Sequence, residues 1–456
     1  SPTFADTDRD GDLDIVIAHW GTGQAPGHFF RNDGPGTFSH IYTSADVMWG
    51  YQNWSPPPAD WTFCFNLTDL NGDMWPDFTV SSDFNTSHVW LNDGDGTFTD
   101  VTDSLVITDT NGMGSTVGDY DNDGDIDWFV SSIYDTTGTT QDGNRLYQND
   151  GNGVFTDVTT AAGVRDGLWG WGATMQDFNN DGHLDIFHVN GWDSSPQWTN
   201  NPARLFVSNG DGTFTDQAAA VGVDHTGQGR AVSAFDYDRD GDLDLFLFNT
   251  NQLPVLLRND CAAGNWLDVK LIGSDANTEG IGSRVRATVG ATTQTREIRC
   301  GNNFNSQDAA EAHFGLGTDT VVDVLEVTWM DGTTTTMNNV PANQRLVITQ
   351  GSAVTVPLVN PISTDHITLL GTTPNPFRQA TEIRFSLAAT GPVSVKIYDA
   401  GGRAVRNVLD GVRNAGEHTV AWDGRAGSGE RAASGIYYYV VRSGDDRAQG
   451  KVALLR

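Results

Sequence analysis

The chain has 456 residues, a formal net charge of −33, three cysteines and no run approaching the ~20 apolar residues of a membrane span. That length is enough for two or three domains, and so few cysteines exclude a disulfide scaffold. An acid excess of this size excludes nucleic acid and anionic membrane surfaces as partners, because phosphate binding needs clustered Lys and Arg.

Of the 59 acidic residues, 21 fall in five nine-residue stretches: DTDRDGDLD (Asp6 to Asp14), DLNGDMWPD (Asp69 to Asp77), DYDNDGDID (Asp119 to Asp127), DFNNDGHLD (Asp177 to Asp185) and DYDRDGDLD (Asp236 to Asp244). Their starts lie 63, 50, 58 and 59 residues apart, the period of a repeated supersecondary unit. Side-chain oxygens stand at positions 1, 3, 5 and 9, and position 7 adds its backbone carbonyl, as in the first half of an EF-hand loop. The expected ligand sets are Asp6, Asp8, Asp10, Asp12 and Asp14; Asp69, Asn71, Asp73, Trp75 and Asp77; Asp119, Asp121, Asp123, Asp125 and Asp127; Asp177, Asn179, Asp181, His183 and Asp185; and Asp236, Asp238, Asp240, Asp242 and Asp244. Calcium takes six to eight hard oxygens at about 2.3–2.6 Å, with water completing the shell. Without a cation, carboxylates within a few Å repel one another strongly. Up to five calcium ions (Ca2+) are therefore expected, and five would bring −33 to −23. The bland alternative is five acidic surface turns.

Four loops carry Gly at position 6 (Gly11, Gly124, Gly182, Gly241), where a sharp turn makes a Cβ costly. An apolar residue at position 8 of those loops opens a strand such as LDIVIAHW, so each loop is anchored directly in a sheet. The second loop has Met74 at position 6 and Pro76 at position 8. A non-Gly residue in a left-handed conformation costs roughly 1–2 kcal/mol, so this site is expected to be distorted or the weakest binder.

Around the loops the same parts recur. An entering strand (GWGATMQDF), a leaving strand (LDIFHVNGW), a third (ARLFVSN), a Gly-rich turn and a fourth (TFTDQAAAVGV) follow in order. The turns read RNDGPGTF, LNDGDGTF, QNDGNGVF and SNGDGTF, whose Asn-Asp-Gly pieces supply the positive-φ positions of a hairpin. Four antiparallel strands per ~58 residues predict the blades of a β-propeller. Loop and hairpin recurring together across residues 1–261 resemble the FG-GAP/VCBS family of calcium-binding propellers, including the integrin α-subunit type. Such propellers usually have seven blades, and five loops are readable here. Blades upstream, closure by later strands and some other completion of the ring all stay open. Trp49, Trp54, Trp61, Trp169, Trp171, Trp192 and Trp198 fall largely between blades and are expected to pack there, with a sugar-stacking rim as the functional alternative.

From 262 to 351 the pieces NWLDVKL, EGIGSRV, REIRCG, HFGLG and the W-x-DG turn at Trp329 resemble the ASPIC/UnbV domain. In VDVLEVTW, alternation predicts Val322, Val324 and, after a step, Val327 and Trp329 facing the core. His313 has no nucleophile and base spaced around it and is expected to be a buried, hydrogen-bonded histidine. Cys261 and Cys300 are a candidate disulfide pair, and Cys64 is expected as a buried free thiol. Residues 352–367 have no clean period and are assigned as a linker. From 368 to 456, Ile383, Phe385 and Leu387 alternate, as do Val393, Val395 and Ile397, predicting a small sandwich. Its PNPF, IYDAGGR, WDGRAGSG and SGIYYYVV pieces resemble the Ig-like modules of the flagellar hook-capping type and type IX secretion sorting domains, which implies export and attachment at the cell surface.

The expected fold is all-β: a propeller with five calcium-loop blades, a small β domain, and a C-terminal Ig-like β-sandwich. The opening SPTFADTD lies mid-repeat with no signal peptide, as expected of a mature, processed or truncated chain, and Asn53, Asn66 and Asn85 sit in glycosylation sequons. No Glu precedes Glu279, so the paired carboxylates of a glycosidase are scarce. The expected function is non-catalytic: a calcium-stabilised secreted, extracellular or cell-surface protein mediating adhesion, binding or self-assembly. Its partners would be protein, glycan or copies of itself in a homo-oligomer or filament. The alternative is a secreted polysaccharide-acting hydrolase or lyase, or a glycan-binding lectin.

Overall fold

The computed structural model describes all residues except 23–28, 35, 41–58, 136–141, 195, 261–263, 275, 302, 353–366, 376, 388–389, 400–402, 428, 444–445 and 455–456. The chain divides into two compact units, Ser1–Pro357 and Leu358–Arg456.

In the first unit five antiparallel sheets follow in chain order as propeller blades. Blade one is Pro2–Ala5, Asp14–Ile17, Phe29–Asn32 and Phe38–His40; blade two is Trp20–Thr22, Ala59–Thr68, Asp77–Ser82, His88–Asn92 and Phe98–Asp100. Blade three is Ser115–Gly118, Asp127–Val130, Arg145–Asn149 and Phe155–Asp157; blade four is Gly170–Gln176, Asp185–Asn190, Arg204–Ser208 and Phe214–Asp216. Among the described residues blade five has three strands: Gly229–Phe235, Asp244–Asn249 and Val255–Leu257. The strands that enter the acidic loops lie side by side around the centre. There Thr3 Oγ1 lies 3.1 Å from Phe65 O, and Asn66 Nδ2 donates to Ser115 Oγ at 2.7 Å. A Cβ on Gly114 would stand 2.2 Å from Trp171 O, so blades three and four approach only because that residue is glycine. Outward from the centre, neighbouring blades bury apolar side chains against each other, as Tyr120 and Phe129 of blade three do with Ile186, Phe206 and Phe214 of blade four.

The fourth strand of a blade is shorter than expected. Phe214–Asp216 is followed by a helical turn, Ala218–Val221, because Asp216 Oδ1 accepts the Ala218 N–H at 3.1 Å and turns the chain. Asp157 does the same for the Thr159 N–H at 2.9 Å.

The remainder of this unit holds two sheets. Asn265–Ile272 pairs antiparallel with Ala312–Gly317 and parallel with Gln344–Thr349. Thr292–Glu297, Arg284–Val289, Val321–Thr328 and Thr334–Pro341 form the other. Val322, Val327 and Trp329 are buried as expected, but Leu325 takes the core position expected of Val324, which is half-buried. The burial phase shifts opposite Asn339, whose φ is 54°.

A loop of this second β domain closes the gap between blades five and one. The Phe4 N–H donates to Cys300 O at 3.1 Å and Thr3 Oγ1 to Gly301 O at 2.7 Å. On the other side, Ser306 Oγ donates to Val232 O at 2.7 Å and the Ala309 N–H to Ala234 O at 3.1 Å. Asp308 accepts the Ala234 N–H at 2.8 Å. A segment outside the repeats thus links the first and fifth blades.

In the Leu358–Arg456 unit, the sheet Ile367–Thr373, Thr381–Leu387 and Gly416–Trp422 shares a core with the sheet Ala404–Arg413, Gly391–Asp399, Gly435–Ser443 and Asp446–Leu454. Ile383, Phe385 and Leu387 of one and Val393, Val395 and Ile397 of the other are all buried there.

Asn66 is buried between strands, which leaves its sequon without access. Cys64 is a buried free thiol, and Cys300 Sγ bonds to Gln307 Oε1 at 3.1 Å. Cys261, Trp49, Trp54 and Asn53, and with them the disulfide considered for Cys261, lie outside the described residues. Among the described residues no helix is long and apolar enough to cross a membrane.

Candidate metal centres

Each acidic loop joins the first two full strands of its blade and holds left-handed residues at positions 4 and 6. These are Arg9 and Gly11 (φ 58° and 97°), Asn122 and Gly124 (61° and 101°), Asn180 and Gly182 (57° and 93°), and Arg239 and Gly241 (63° and 93°). The second loop has Gly72 at 78° and Met74 at 72°. The expected distortion is therefore not found: the glycine has moved to position 4 and Met74 takes the left-handed conformation at position 6.

Local hydrogen bonds hold the carboxylates of positions 1, 5 and 9 in place. The position-5 carboxylates Asp10, Asp73, Asp123, Asp181 and Asp240 accept the N–H of position 7, from Asp12, Trp75, Asp125, His183 and Asp242 respectively, at 2.8–3.1 Å. Position 1 accepts the N–H of position 6 in four loops: Asp6 from Gly11, Asp69 from Met74, Asp177 from Gly182 and Asp236 from Gly241. Position 9 is a double clasp. Asp14, Asp77, Asp127, Asp185 and Asp244, all fully buried, each take one N–H from position 2 and one from the end of the blade's third strand. The latter donors are Asn32, Asn92, Asn149, Ser208 and Asn259, at 2.8–2.9 Å.

Three loops gather carboxylate oxygens within 4.8 Å of one another: Asp6, Asp8 and Asp10; Asp119, Asp121 and Asp127; and Asp236, Asp238 and Asp244. In loops two and four, Asn71 and Asn179 hold position 3 and donate to Asp73 and Asp181 at 2.9 Å. Burial, followed by nearby aspartates, pushes Asp6 up to about 7 and Asp77 to about 8. Burial also raises Asp14 and Asp119 to about 6 and holds Asp127 and Asp185 well above the carboxylate range. Both Asp119 oxygens, and Oδ1 of Asp8, are buried without a hydrogen-bond donor of ordinary geometry. Buried negative charge without donors is costly unless neutralised, and clustered hard oxygens are the donor set calcium prefers. The residues present fit that ion.

The loops are also tied to one another. Asn92, Asn149 and Asn259 reach back to carbonyls of the preceding blade's loop, at Thr7, Leu70 and Phe178, at 2.7–2.9 Å. Asn122 donates to Gly182 O and Asn180 to Gly241 O, both at 3.1 Å. The second β domain covers this face. Arg9 Nε donates to Met330 O at 3.0 Å. Arg284 reaches Asp69 through its carbonyl at 2.9 Å and its carboxylate at 3.2 Å. His313, buried as expected, bridges Asp268 and Asn180 at 2.7 Å each. The recurring Asn of the -ND- turns thus does more than form the turn, and its fixed offset from the loop is the sequence signal for that role. Nothing local marked Arg284.

The comparisons with known proteins agree with this layout. A family model for the FG-GAP-like repeat matches residues 69–130, 134–188 and 197–247, one for ASPIC and UnbV matches 273–355, and one for the FlgD Ig-like domain matches 372–446. Cartilage acidic protein 1 of Xenopus tropicalis is 36% identical over 110 residues, and that of Mus musculus 34%. In both cases the match spans 23% of this chain and only 16% of the relative's length. PorZ, a bacterial surface component of the type-IX secretion system of Porphyromonas gingivalis, aligns over 98% of this chain and 58% of its own at 14% identity, with a TM-score of 0.32. The chain is built of FG-GAP-like repeats, an ASPIC and UnbV domain and a FlgD Ig-like domain.

Proposed function

We propose that this chain is a calcium-stabilised extracellular or cell-surface protein that works by contact rather than catalysis, binding protein, glycan or copies of itself. The observation that carries it is the row of acidic loops whose buried carboxylates need a cation, bound into one face by asparagine links and a covering domain. Extracellular calcium suits such loops because modules of modest affinity fill where the ion is plentiful. The FG-GAP-like repeats and the name of the cartilage relatives support the same location. Asp6, Asp8 and Asp10, Asp119, Asp121 and Asp127, Asp236, Asp238 and Asp244, and the Asn-bearing sets of loops two and four would hold the ions. Calorimetric titration of calcium chloride into chelator-stripped protein is expected to show at least three sites. Absence of calcium binding would overturn the proposal.

A lectin is the second reading, favoured by an aromatic track at the strand ends remote from the acidic loops. Trp20 lies 5.4 Å from Trp61 and 5.8 Å from Phe63, and Trp61 lies 4.8 Å from Phe84. Trp20 and Phe84 are about half exposed, at 50% and 48%. Ring faces of this kind stack on sugars. Saturable binding on a glycan array, lost in Trp20→Ala, supports the lectin; an array with no signal removes it.

A further inference from the structure

Blade five stops one strand early. In blades two, three and four the outer strand pairs with the third strand in one register: Phe98 opposite Asn92, Phe155 opposite Asn149, and Phe214 opposite Ser208. Each of these phenylalanines is buried against the preceding blade. The Phe214 ring lies 5.9 Å from Tyr120, among Leu146, Leu184, Ile186 and Phe206. The position-9 clasp aligns blade five with its siblings: Asn259 donates to Asp244 as Ser208 does to Asp185, so Leu257 corresponds to Phe206. Among the described residues no outer strand follows, and Asn265–Ile272 enters the sheet of the next domain.

Where the missing phenylalanine would lie, a cleft of about 290 Å³ opens between blades four and five. Its walls include Phe178, Leu205, Leu243, Leu245 and Leu257, the counterparts of Tyr120, Leu146, Leu184, Ile186 and Phe206. Among the described residues Val255–Leu257 pairs on one side only, and Leu256 is 44% exposed.

We propose that this cleft receives an extended segment of a partner polypeptide, which adds an antiparallel outer strand to blade five and sets an aromatic side chain into the cavity. Its aromatic residue stands opposite Asn259 and the residue two further on stands opposite Leu257, the register of the sibling blades. The occupant's chemistry is written in the chain four times, as GTFSH, GTFTD, GVFTD and GTFTD. An open sheet edge supplies main-chain hydrogen bonds, and the pocket beside it selects the side chain. This deepens the contact reading above and rests on it, but not on which glycan or surface is bound.

The test is fluorescence anisotropy of a labelled peptide copying residues 209–217 (NGDGTFTDQ), titrated with the calcium-loaded full chain. Saturable one-to-one binding is expected, weakened at least about tenfold when the peptide's phenylalanine is alanine. It is also expected to be lost in Val221→Trp, which fills the cleft from its exposed rim. An unchanged melting temperature of that variant shows that it folds. Absence of binding, equal binding of the alanine peptide, or full binding by Val221→Trp overturns the proposal. A wild-type dimer that Val221→Trp makes monomeric overturns it in favour of a second copy as occupant. Because the titration is run in saturating calcium, a failed peptide assay beside a normal calcium titration rejects this proposal and leaves the calcium reading standing.

Discussion

The second and third acidic loops share a backbone and differ in what stands over their first aspartate. Asp119 is buried with no hydrogen bond of ordinary geometry on either oxygen, whereas Asp69, also buried, has the Arg284 guanidinium 3.2 Å away. The number of carboxylates therefore does not by itself say where a cation is needed. The covering domain ion-pairs one loop directly through Arg284, whereas over the other its Arg296 acts on Asp119 only at a distance, being bonded to Gln294, Thr295 and His313. If the loops hold calcium as proposed, the second is expected to be the weaker site because an arginine stands over it, rather than because Met74 distorts it.

The strongest way to break this contrast is Arg284→Met. Removing one partner of a buried ion pair costs about 3–5 kcal/mol, which urea unfolding in EGTA is expected to show, with part of the loss recovered in calcium. An unaltered midpoint would mean that Asp69 does not depend on that guanidinium. Asp119→Asn is next, at about 2–3 kcal/mol, the scale of one ion at a hundred times its dissociation constant. The sign separates the loops. Asp119→Asn is expected to lower stability in calcium and raise it in EGTA, where the lost charge was a liability, while Asp69→Asn lowers it in both. The same carboxylates fix the pH dependence. Acids raised to about 6–8 in the fold hold protons that the unfolded chain has released, so stability of the chelated protein falls as pH rises from about 4 to about 8. Saturating calcium is expected to flatten that slope, read as melting temperature against pH.

Backbone changes are smaller. Gly124→Ala puts a Cβ at φ 101° and is expected to cost about 1–2 kcal/mol. Met74→Gly relieves a left-handed side chain but loosens the unfolded chain, for a net gain below about 1 kcal/mol. A loss for Met74→Gly would show that the Met74 side chain contributes packing that outweighs its strain.

The acidic loops and blades were legible because their determinants are local and recur: aspartate at alternate positions, glycine at the turn, and an Asn-Asp-Gly hairpin at a fixed offset. The ring closure was not, because Phe4 and Cys300 are brought together by the packing of two domains and nothing repeats at that junction. Arg284 was hidden for the same reason, being 215 residues from Asp69. The short outer strands were misjudged because TFTDQAAAVGV reads as one extended run until Asp216 is seen turning the chain into Ala218–Val221.

Calorimetric melting of the full chain in calcium and in EGTA tests the central claim most directly, with the Leu358–Arg456 unit as an internal reference. Loss of three ions at about 2.7 kcal/mol each is expected to lower the transition of the Ser1–Pro357 unit by roughly 10 °C and to leave that of the smaller unit in place. Coincident melting of the larger unit in both buffers would contradict the account.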